Sequence, residues 1–591
     1  MNNYHRHSHY SNVLTPDSSI TNEQYAIRAK ELGHKILVSM EHGFQGNYFE
    51  TFALAKKHGL KFVYGAEAYW VKDRLEQDKT NSHICIFSKT NKGRKSLNLA
   101  LAEANISGYY YKPRLDLDLI LNLPPEDIFV TSACLAFWHY EDIEDIITKL
   151  HSHFKDNFML EVQYHFNSLY IELNKKILDI SNRHGIEMIV GMDSHYISDD
   201  QKIDREEVLK SKGIHYDNED DWYMDYPDDK TTFSRLKEQG IFTDSQIQRM
   251  MDNTNIFETF DNYDDVDIFS QRIKLPSLYP ELTQEEKDKK LVELVNAKWN
   301  EYKKDIPKEK HKEYIIEIKK ELKIVIDVHM SDYLLYDYEV VKRAVEKGGM
   351  ITPSGRGSAV SFFINTLLGL SKVDRISAPV KMFPERFMST SRIGNLMDID
   401  LNSGNPEVFA EAQKEISGEY NSYPMIAYGT FKKKSAWKMY AKAKDVDFEI
   451  ANKISNQIGK YEEELKYTDD DEKDTVDVYD FIDKEYHKIY EDSIIYQGII
   501  SSKSIHPCAH LIYDFDIREE IGLIKVKSET TKKEYIVCLM DGNSAEQFKF
   551  MKNDLLKVDV VKLLYLLQEK TGFQIPTQND IINICDGDEK V

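Results

Sequence analysis

This sequence has no 18-residue apolar run, so no segment reads as a membrane span. Its N-terminus, MNNYHRHSHYS, lacks the charged-then-apolar pattern of a secretory signal. Cysteine is scarce. Cys85, Cys134, Cys508, Cys538 and Cys585 include no CxxC pair, which argues against a disulfide framework and suits a reducing cytoplasm. Basic charge is in deficit too: 77 Lys and Arg against 100 Asp and Glu leave a formal net charge of −23. A field of that sign repels phosphate and excludes a general polyanion binder. Nucleic acid could still be held in a local basic groove, for which GTFKKKSAWKMYAKAK and IKVKSETTKKEY are candidates, or through metal ions. No internal repeat is present.

What is present exceeds one core. A chain of 591 residues predicts two to four domains, and 41% hydrophobic with 30% charged residues is ordinary for a soluble globular protein. Up to about residue 200, short apolar runs (KILVSM, KFVYGAEAYWV, HICIFSK, DIFVTSACLAF, EMIVGMDSHYI) alternate with helical patterns (NEQYAIRAKELG, YIELNKKILDISNRHG). That alternation predicts an α/β domain with a largely parallel sheet or barrel. DNEDDWYMDYPDD, 217–229, reads as a surface loop. Residues 281–328 read as a charged helical connector, and 430–500 as helical again with YTDDDEKDTVD a solvated loop.

Polar residues of interest fall at the ends of the apolar runs. YHRHSHYS puts His5 and His7 on one face of a strand, because the side-chain period is two. Glu41 and His42 follow in SMEHG, Glu67 in GAEAY, His83 in SHICIF, Cys134 in TSACLA, and Asp193 and His195 in GMDSHY. Any one of these could be a satisfied polar residue at a loop. Together, imidazole, carboxylate and thiolate suit zinc or manganese.

The second half carries a Gly-rich loop, ITPSGRGSAVSFFINTLLGL, joined to an apolar helical run. Gly355 and Gly357 allow close backbone approach, Arg356 and Ser358 add donors, and the helix start would face an anion. A plain turn would look the same. In NLMDIDLN, strand alternation predicts Asp398, Asp400 and Asn402 on one face and Met397, Ile399 and Leu401 on the other. Such a face either holds two Mg²⁺ ions or is merely a wet one.

The order HxH, (D/E)HG, GxE, His, Cys, DxH resembles the ligand pattern of PHP (polymerase and histidinol phosphatase) phosphoesterase domains. His5, His7, Glu41, His42, Glu67, His83, Cys134, Asp193 and His195 match it, with Glu41 where the family usually has Asp. The resemblance implies Zn²⁺ or Mn²⁺ at this site and, beside a polymerase, hydrolysis of phosphoesters that looks like 3′–5′ proofreading.

The succession SDYLLYDYEVVKRAVEKGGMITPSGRGSA, DRISAPVKMFPERF, LMDIDL, MIAYGTFKKKSAWKMYAKA, SIHPCAHLIY, MKNDLLKV resembles the C family of bacterial replicative DNA polymerases, whose α subunits also begin with a PHP domain. The resemblance covers residues 4 to 591. It implies an α/β multidomain fold: a PHP-type α/β barrel, then a nucleotidyltransferase palm similar to that of polymerase β with a helical thumb. The implied divisions are PHP 1–270, first palm part and connector 271–429, thumb 430–507, second palm part 508–560, and the start of the fingers 561–591. Asp398, Asp400 and Asp554 look like the catalytic Mg²⁺ ligands. Gly357, Ser358, Arg356, Arg386 and Lys552 look like contacts to the incoming nucleotide, and His506 matches a family histidine without an assignable role. Met397 stands where the family usually has Pro, and Asn402 where a third Asp is usual. No exonuclease is inserted in the PHP region.

The implied activity is DNA-templated transfer of a nucleotidyl group from a dNTP to a primer 3′-OH. Its partners are primer–template DNA, dNTPs and replisome factors, in the cytoplasm of a bacterial, or phage-infected, cell. Fingers, clamp-binding and single-strand-binding regions do not follow Asp554, so fingers are expected from a second polypeptide, and a bacteriophage version of the polymerase suits the divergence. The alternatives are a stand-alone metal-dependent phosphoesterase or exonuclease with a DNA-holding palm, and a non-catalytic module that sequesters replication factors.

Overall fold

The expected helices form where their caps direct. Thr21 accepts from the Gln24 N–H while the Gln24 side chain answers the Thr21 N–H, opening the helix Asn22–Leu32. Asn167 caps Ser168–His184. The apolar runs form strands β1 (Ile36–Ser39), β2 (Lys61–Val71), β3 (Ser82–Ser88), β4 (Tyr109–Tyr110), β5 (Lys112–Asp116), β6 (Ile128–Thr131), β7 (Phe158–Val162) and β8 (Met188–Val190). The computed structural model describes all residues but 81, 217, 218, 220, 393–398, 529, 530 and 586–591.

These strands make one sheet in the order β4-β5-β2-β3-β6-β7-β8, with β1 pairing β2. It is mixed: β3 runs antiparallel to β2 and β6, while β1–β2, β2–β5, β6–β7 and β7–β8 are parallel. The expected barrel is therefore an open one, ending at β4 and β8. Residues 5–7 form no strand of their own. A single parallel bridge, Arg6 to Ser194, holds them, and Arg6 turns away to lie over the Tyr25 ring. Tyr4, Ile36, Val38, Val63, Phe87, Phe129 and Phe257 pack the core beneath.

This first unit comprises Met1–Val266, Ala427–Ser504 and Gly522–Tyr535. The helices expected as a thumb, Lys433–Ala443, Phe448–Tyr467 and His487–Ser493, belong to it. Val208 on the helix Lys202–Ser211 packs with Phe431, Ala436, Met439 and Tyr440. Tyr496 donates to Glu207 at 2.6 Å, and Asn12 Nδ2 donates to Ile500 O at 3.0 Å.

The second unit comprises Asp267–Ile426, Ile505–Ile521 and Ile536–Val591. The connector forms as the helices Gln284–Tyr302 and His311–Asp327, whose Leu291, Val295, Trp299 and Tyr314 enter the core. Strands β9 (Asp400–Ser403) and β14 (Lys552–Lys557) belong to this unit; of the others, β12 (Leu523–Lys527) belongs to the first unit, and β10 (Ser422–Thr430), β11 (Ile500–Ile512) and β13 (Glu534–Cys538) have residues in each. β14 lies between β11 and β9, antiparallel to the first and parallel to the second.

Asp337, on the helix Ser331–Glu346, is fully buried behind β14 and accepts from Asn553 Nδ2 at 3.0 Å. Burial lifts its carboxyl from 3.8 to about 7. Between those values the folded chain holds a proton that the unfolded chain has released, so stability falls as pH rises across that window. Asp337→Asn keeps an acceptor for Asn553 and removes the charge. The variant is expected to melt several degrees above the wild type at pH 8 and near it at pH 4. A thermal scan showing the same difference at both pH values would contradict this.

Candidate metal centre and paired carboxylate strands

Glu67, mid-β2 and 1% exposed, is the hub of the first site. Four imidazoles reach its carboxylate: His42 Nδ1 at 2.6 Å, His83 Nδ1 at 3.0 Å, His7 Nε2 at 3.2 Å and His5 Nε2 at 3.5 Å. Asp193 Oδ1 lies 3.3 Å from both His5 Nε2 and His7 Nε2. His7 stacks on His42 with centroids 3.9 Å apart, and Cys134 Sγ is 3.4 Å from His83 Nδ1. Two residues at the site hold left-handed backbone that side chains disfavour: Asp193 itself (φ 46) and Ala133 (φ 51), just before Cys134. Such strain persists where surrounding structure imposes it, and it gathers at functional sites.

Two acids steady the cluster from outside. Glu161 on β7 takes His5 Nδ1 at 2.6 Å and accepts from Tyr4 and Thr131, which turns His5 Nε2 toward the cluster. Gly191 leaves room for it, since a Cβ there would sit 2.0 Å from Glu161 Oε1. Asp17 Oδ2 bridges His42 Nε2 at 2.7 Å and His195 Nε2 at 2.9 Å, while Arg205 holds Oδ1 at 2.5 Å.

Sequence reasoning missed both. Asp17 sits in TPDS, which reads as an ordinary turn. Glu161 did leave a signal: it is the one acid in FMLEV, a strand buried at every position. Glu41, by contrast, stands apart from the cluster. Its oxygens accept from the Ser8 and Ser11 hydroxyls at 2.5 and 2.6 Å and from the Ser8 N–H at 3.0 Å. The carboxylate that meets His42 on the side away from Glu67 is Asp17.

The electrostatics follow from crowding in a dry site. Burial pulls His42 down, but Glu67 and Asp17 outweigh it and lift the imidazole to about 10. Burial likewise opposes charge on Asp193 and Glu67, yet neighbouring histidines hold both carboxyls well below their usual range. Burial, then Glu67 and Asp193, push the Cys134 thiol up. His7 Nε2, His42 Nδ1, Glu67 Oε2 and Asp193 Oδ1 are buried and make no directed hydrogen bond, although they lie 2.6 to 3.3 Å from one another's groups. A cation would satisfy such converging lone pairs, and three-residue sets such as His5–His7–Asp193 and His42–Glu67–His83 bring their ligand atoms within 4.8 Å. The residues present fit a metal ion.

In the second unit, Asp554 on β14 is in register with Asp400 on β9. Register neighbours on parallel strands share a face, so the two half-buried carboxylates stand side by side. Lys552 donates to Asp554 Oδ2 at 2.9 Å, and Asp554 Oδ1 is buried with no hydrogen bond. The Gly-rich loop leaves β9's other edge, where Thr352 N donates to Asn402 O. It returns over the acids: Gly357 has φ +69, and a Cβ there would lie 2.7 Å from Asp400 Oδ2. Only glycine admits both demands. Burial, then Asp554, raise the Cys508 thiol to about 11.

Three expectations change here. Among the described residues the strand covers Asp400–Ser403, and Asn402 is buried rather than wet; Asp398 lies outside the described residues. After Ser358 comes a three-residue turn, Ala359–Ser361, then a short helix, Phe363–Leu367. The N–H groups that begin this helix, Phe363 and Ile364, donate to buried Glu321 at 2.9 and 2.8 Å, so a protein carboxylate already takes the anion position. Arg356 and Arg386 are exposed, the latter in the turn Pro384–Arg386. His506 is a backbone prop, with Nδ1 accepting from Ala509 N at 2.9 Å.

Comparison with known proteins matches two regions of the chain. A PHP domain model matches residues 3–165, and a model described as the bacterial DNA polymerase III alpha NTPase domain matches 289–557. The DNA polymerase III subunit alpha of Aquifex aeolicus is 23% identical over 623 residues, covering 96% of this chain and 52% of that protein. Those of Helicobacter pylori (strain ATCC 700392 / 26695) and Chlamydia trachomatis are 24% and 26% identical, each covering 77% of this chain and 40% and 41% of their own length. The chain thus spans about half or less of the length of these relatives. No helix among the described residues is long and apolar enough to cross a membrane. Matched in order by the two models and along nearly its whole length by such relatives, the chain is similar to the C family of bacterial replicative DNA polymerases, the DNA polymerase III α subunits.

Proposed function

We propose that this chain is a catalytic part of a DNA-templated DNA polymerase that extends a primer with dNTPs. The observation that carries the reading is the register of Asp400 and Asp554 beneath Gly357. Asp400 and Asp554, with Asp398, would hold Mg²⁺, which when bound stabilises charge on the transferring phosphoryl group and activates the primer hydroxyl. Lys552 steadies Asp554 and presents a cation to the triphosphate. The strands β9, β11 and β14 act as the palm. The lysines of the helix Lys433–Ala443 would follow the duplex backbone, as the expected thumb does. The helix Asp559–Thr571 exposes Val560, Leu563 and Leu567, apolar surface suited to covering by fingers supplied from another polypeptide. Replisome factors and a bacterial cytoplasm, phage-infected or not, fit the same reading.

A second reading rests on the buried orphan atoms of the N-terminal cluster. It makes that cluster a Zn²⁺ or Mn²⁺ phosphoesterase acting as a 3′–5′ exonuclease. The two assignments separate by variant. His7→Ala is expected to remove hydrolysis of a single-stranded 3′ end and to spare extension, while Asp554→Asn does the reverse. Hydrolysis that survives His7→Ala, or that falls with Asp554→Asn, would overturn the division of labour.

A further inference from the structure

Beside the cluster lies a cavity of about 400 Å³, lined by Glu67, His83 and Asp193 and also by Tyr69, in register with His83, and Lys112. Lys112 is its only lysine or arginine among the described residues. Its Nζ donates to Thr15 Oγ1 at 2.6 Å and to the Tyr69 hydroxyl at 2.8 Å, and lies 4.3 Å from the centroid of the Tyr69 ring. Both partners are neutral. Asp17 and Glu67 act on it through space. Two of the three ammonium protons are thereby used, and the charge is largely removed from water without a contacting anion.

A buried ammonium without a counter-ion is costly, and a structural lysine in such a place normally pairs with a carboxylate. The acids of this cavity are instead taken up by the histidines and, for Glu219 and Asp17, by Arg205. The backbone adds a second sign. Tyr111, the residue before Lys112, is held left-handed at φ 59 in the turn between β4 and β5, so strain flanks the cavity here as it does at Ala133 and Asp193. Burial lowers the ammonium to about 8, which leaves it charged at neutral pH.

We propose that Lys112, steadied by Thr15 and Tyr69, binds a non-bridging oxygen of the substrate's phosphoryl group in the cavity it shares with the metal-ligand cluster. The proposal rests on the phosphoesterase reading of that cluster and names what the reading lacks: the protein cation that positions the group to be cleaved. Phosphomonoesters and a terminal phosphodiester share this chemistry.

The test uses the full chain loaded with manganese. Inorganic phosphate, dTMP and a single-stranded oligonucleotide are titrated by calorimetry, with metal content measured by elemental analysis. Lys112→Met is expected to weaken inorganic phosphate by about tenfold to a hundredfold, the loss expected for one charge-assisted hydrogen bond, with metal content unchanged. Lys112→Arg should restore most of it. With phosphate so weakened, a parallel loss for dTMP but not for the oligonucleotide would assign the site to monoesters, and a loss for both to any terminal phosphoryl group. Where Lys112→Met does not fold, Lys112→Gln, which keeps a polar end for Thr15 and Tyr69, gives the same measurement. Equal phosphate affinity at equal metal content overturns the proposal, as does a wild-type chain that holds metal but no phosphate. A wild-type chain that takes up no metal overturns the phosphoesterase reading and this proposal with it.

Discussion

Asp554→Asn is expected to lower templated primer extension about a thousandfold or more, the scale on which enzymes lose rate when charge stabilisation at a phosphoryl centre is removed. The substitution preserves shape, so β14 should keep its pairing with β9 and β11. It removes a charge whose Oδ1 is buried with no hydrogen bond and whose Oδ2 is held by Lys552. Asp400→Asn should act alike, since the two side chains share one face in register. Gly357→Ala offers a milder version of the same test: its Cβ would press on Asp400 Oδ2 from 2.7 Å and strain a backbone at φ +69, for an expected loss of about tenfold or more. Single-turnover extension, run with this chain alone and with a polypeptide matching the rest of the relatives' length, measures all three. Retention of a tenth of wild-type extension by Asp554→Asn would remove it from the catalytic set.

The second large effect is expected at Glu67. Its carboxylate lies within 3.5 Å of four imidazoles and, with Asp193, supplies the negative charge that a cation would meet there. Glu67→Gln replaces that charge with an amide whose NH₂ would face imidazole nitrogens or a cation. Metal retained after dialysis is expected to fall about a hundredfold, the upper end of the loss seen when outer partners alone are changed. Hydrolysis at the site should fall with it, and extension should not. Elemental analysis decides the matter: wild-type metal content in Glu67→Gln would mean that the imidazoles and Asp193 suffice without the hub.

Much of the N-terminal site was legible because its residues combine distinctive chemistry with places in or beside the apolar runs. His5, His7, His42, Glu67, His83, Cys134, Asp193 and His195 meet in one place. The misplacement of Glu41 has a physical reason. Adjacency to His42 in EHG suggested a ligand pair, but neighbours in extended chain point opposite ways, and Glu41 turns to Ser8 and Ser11. Asp17 was hidden because its partners, His42, His195 and Arg205, are brought to it only by the fold. DNEDDWYMDYPDD read as surface because of its acids. Yet Met224 and Tyr226 are buried, and Met224 O accepts from His195 N, which ties that segment to the site. In the second unit the pattern of glycines and acids was readable. The burial of Asn402 and the capture of the helix start by Glu321 were not, because each depends on a partner distant in sequence.

The first unit is assembled from three separated stretches, Met1–Val266, Ala427–Ser504 and Gly522–Tyr535. On a ribosome this has a consequence in time. Asn12 waits for the carbonyl of Ile500, Val208 for Phe431 and Tyr440, and Asn105 for the Lys525 N–H and the carbonyl of Leu523. At about 5–20 residues per second, the nascent N-terminal region stands incomplete for roughly tens of seconds before its last strand emerges. Its uncovered apolar surface in that interval is where a chaperone would engage the growing chain.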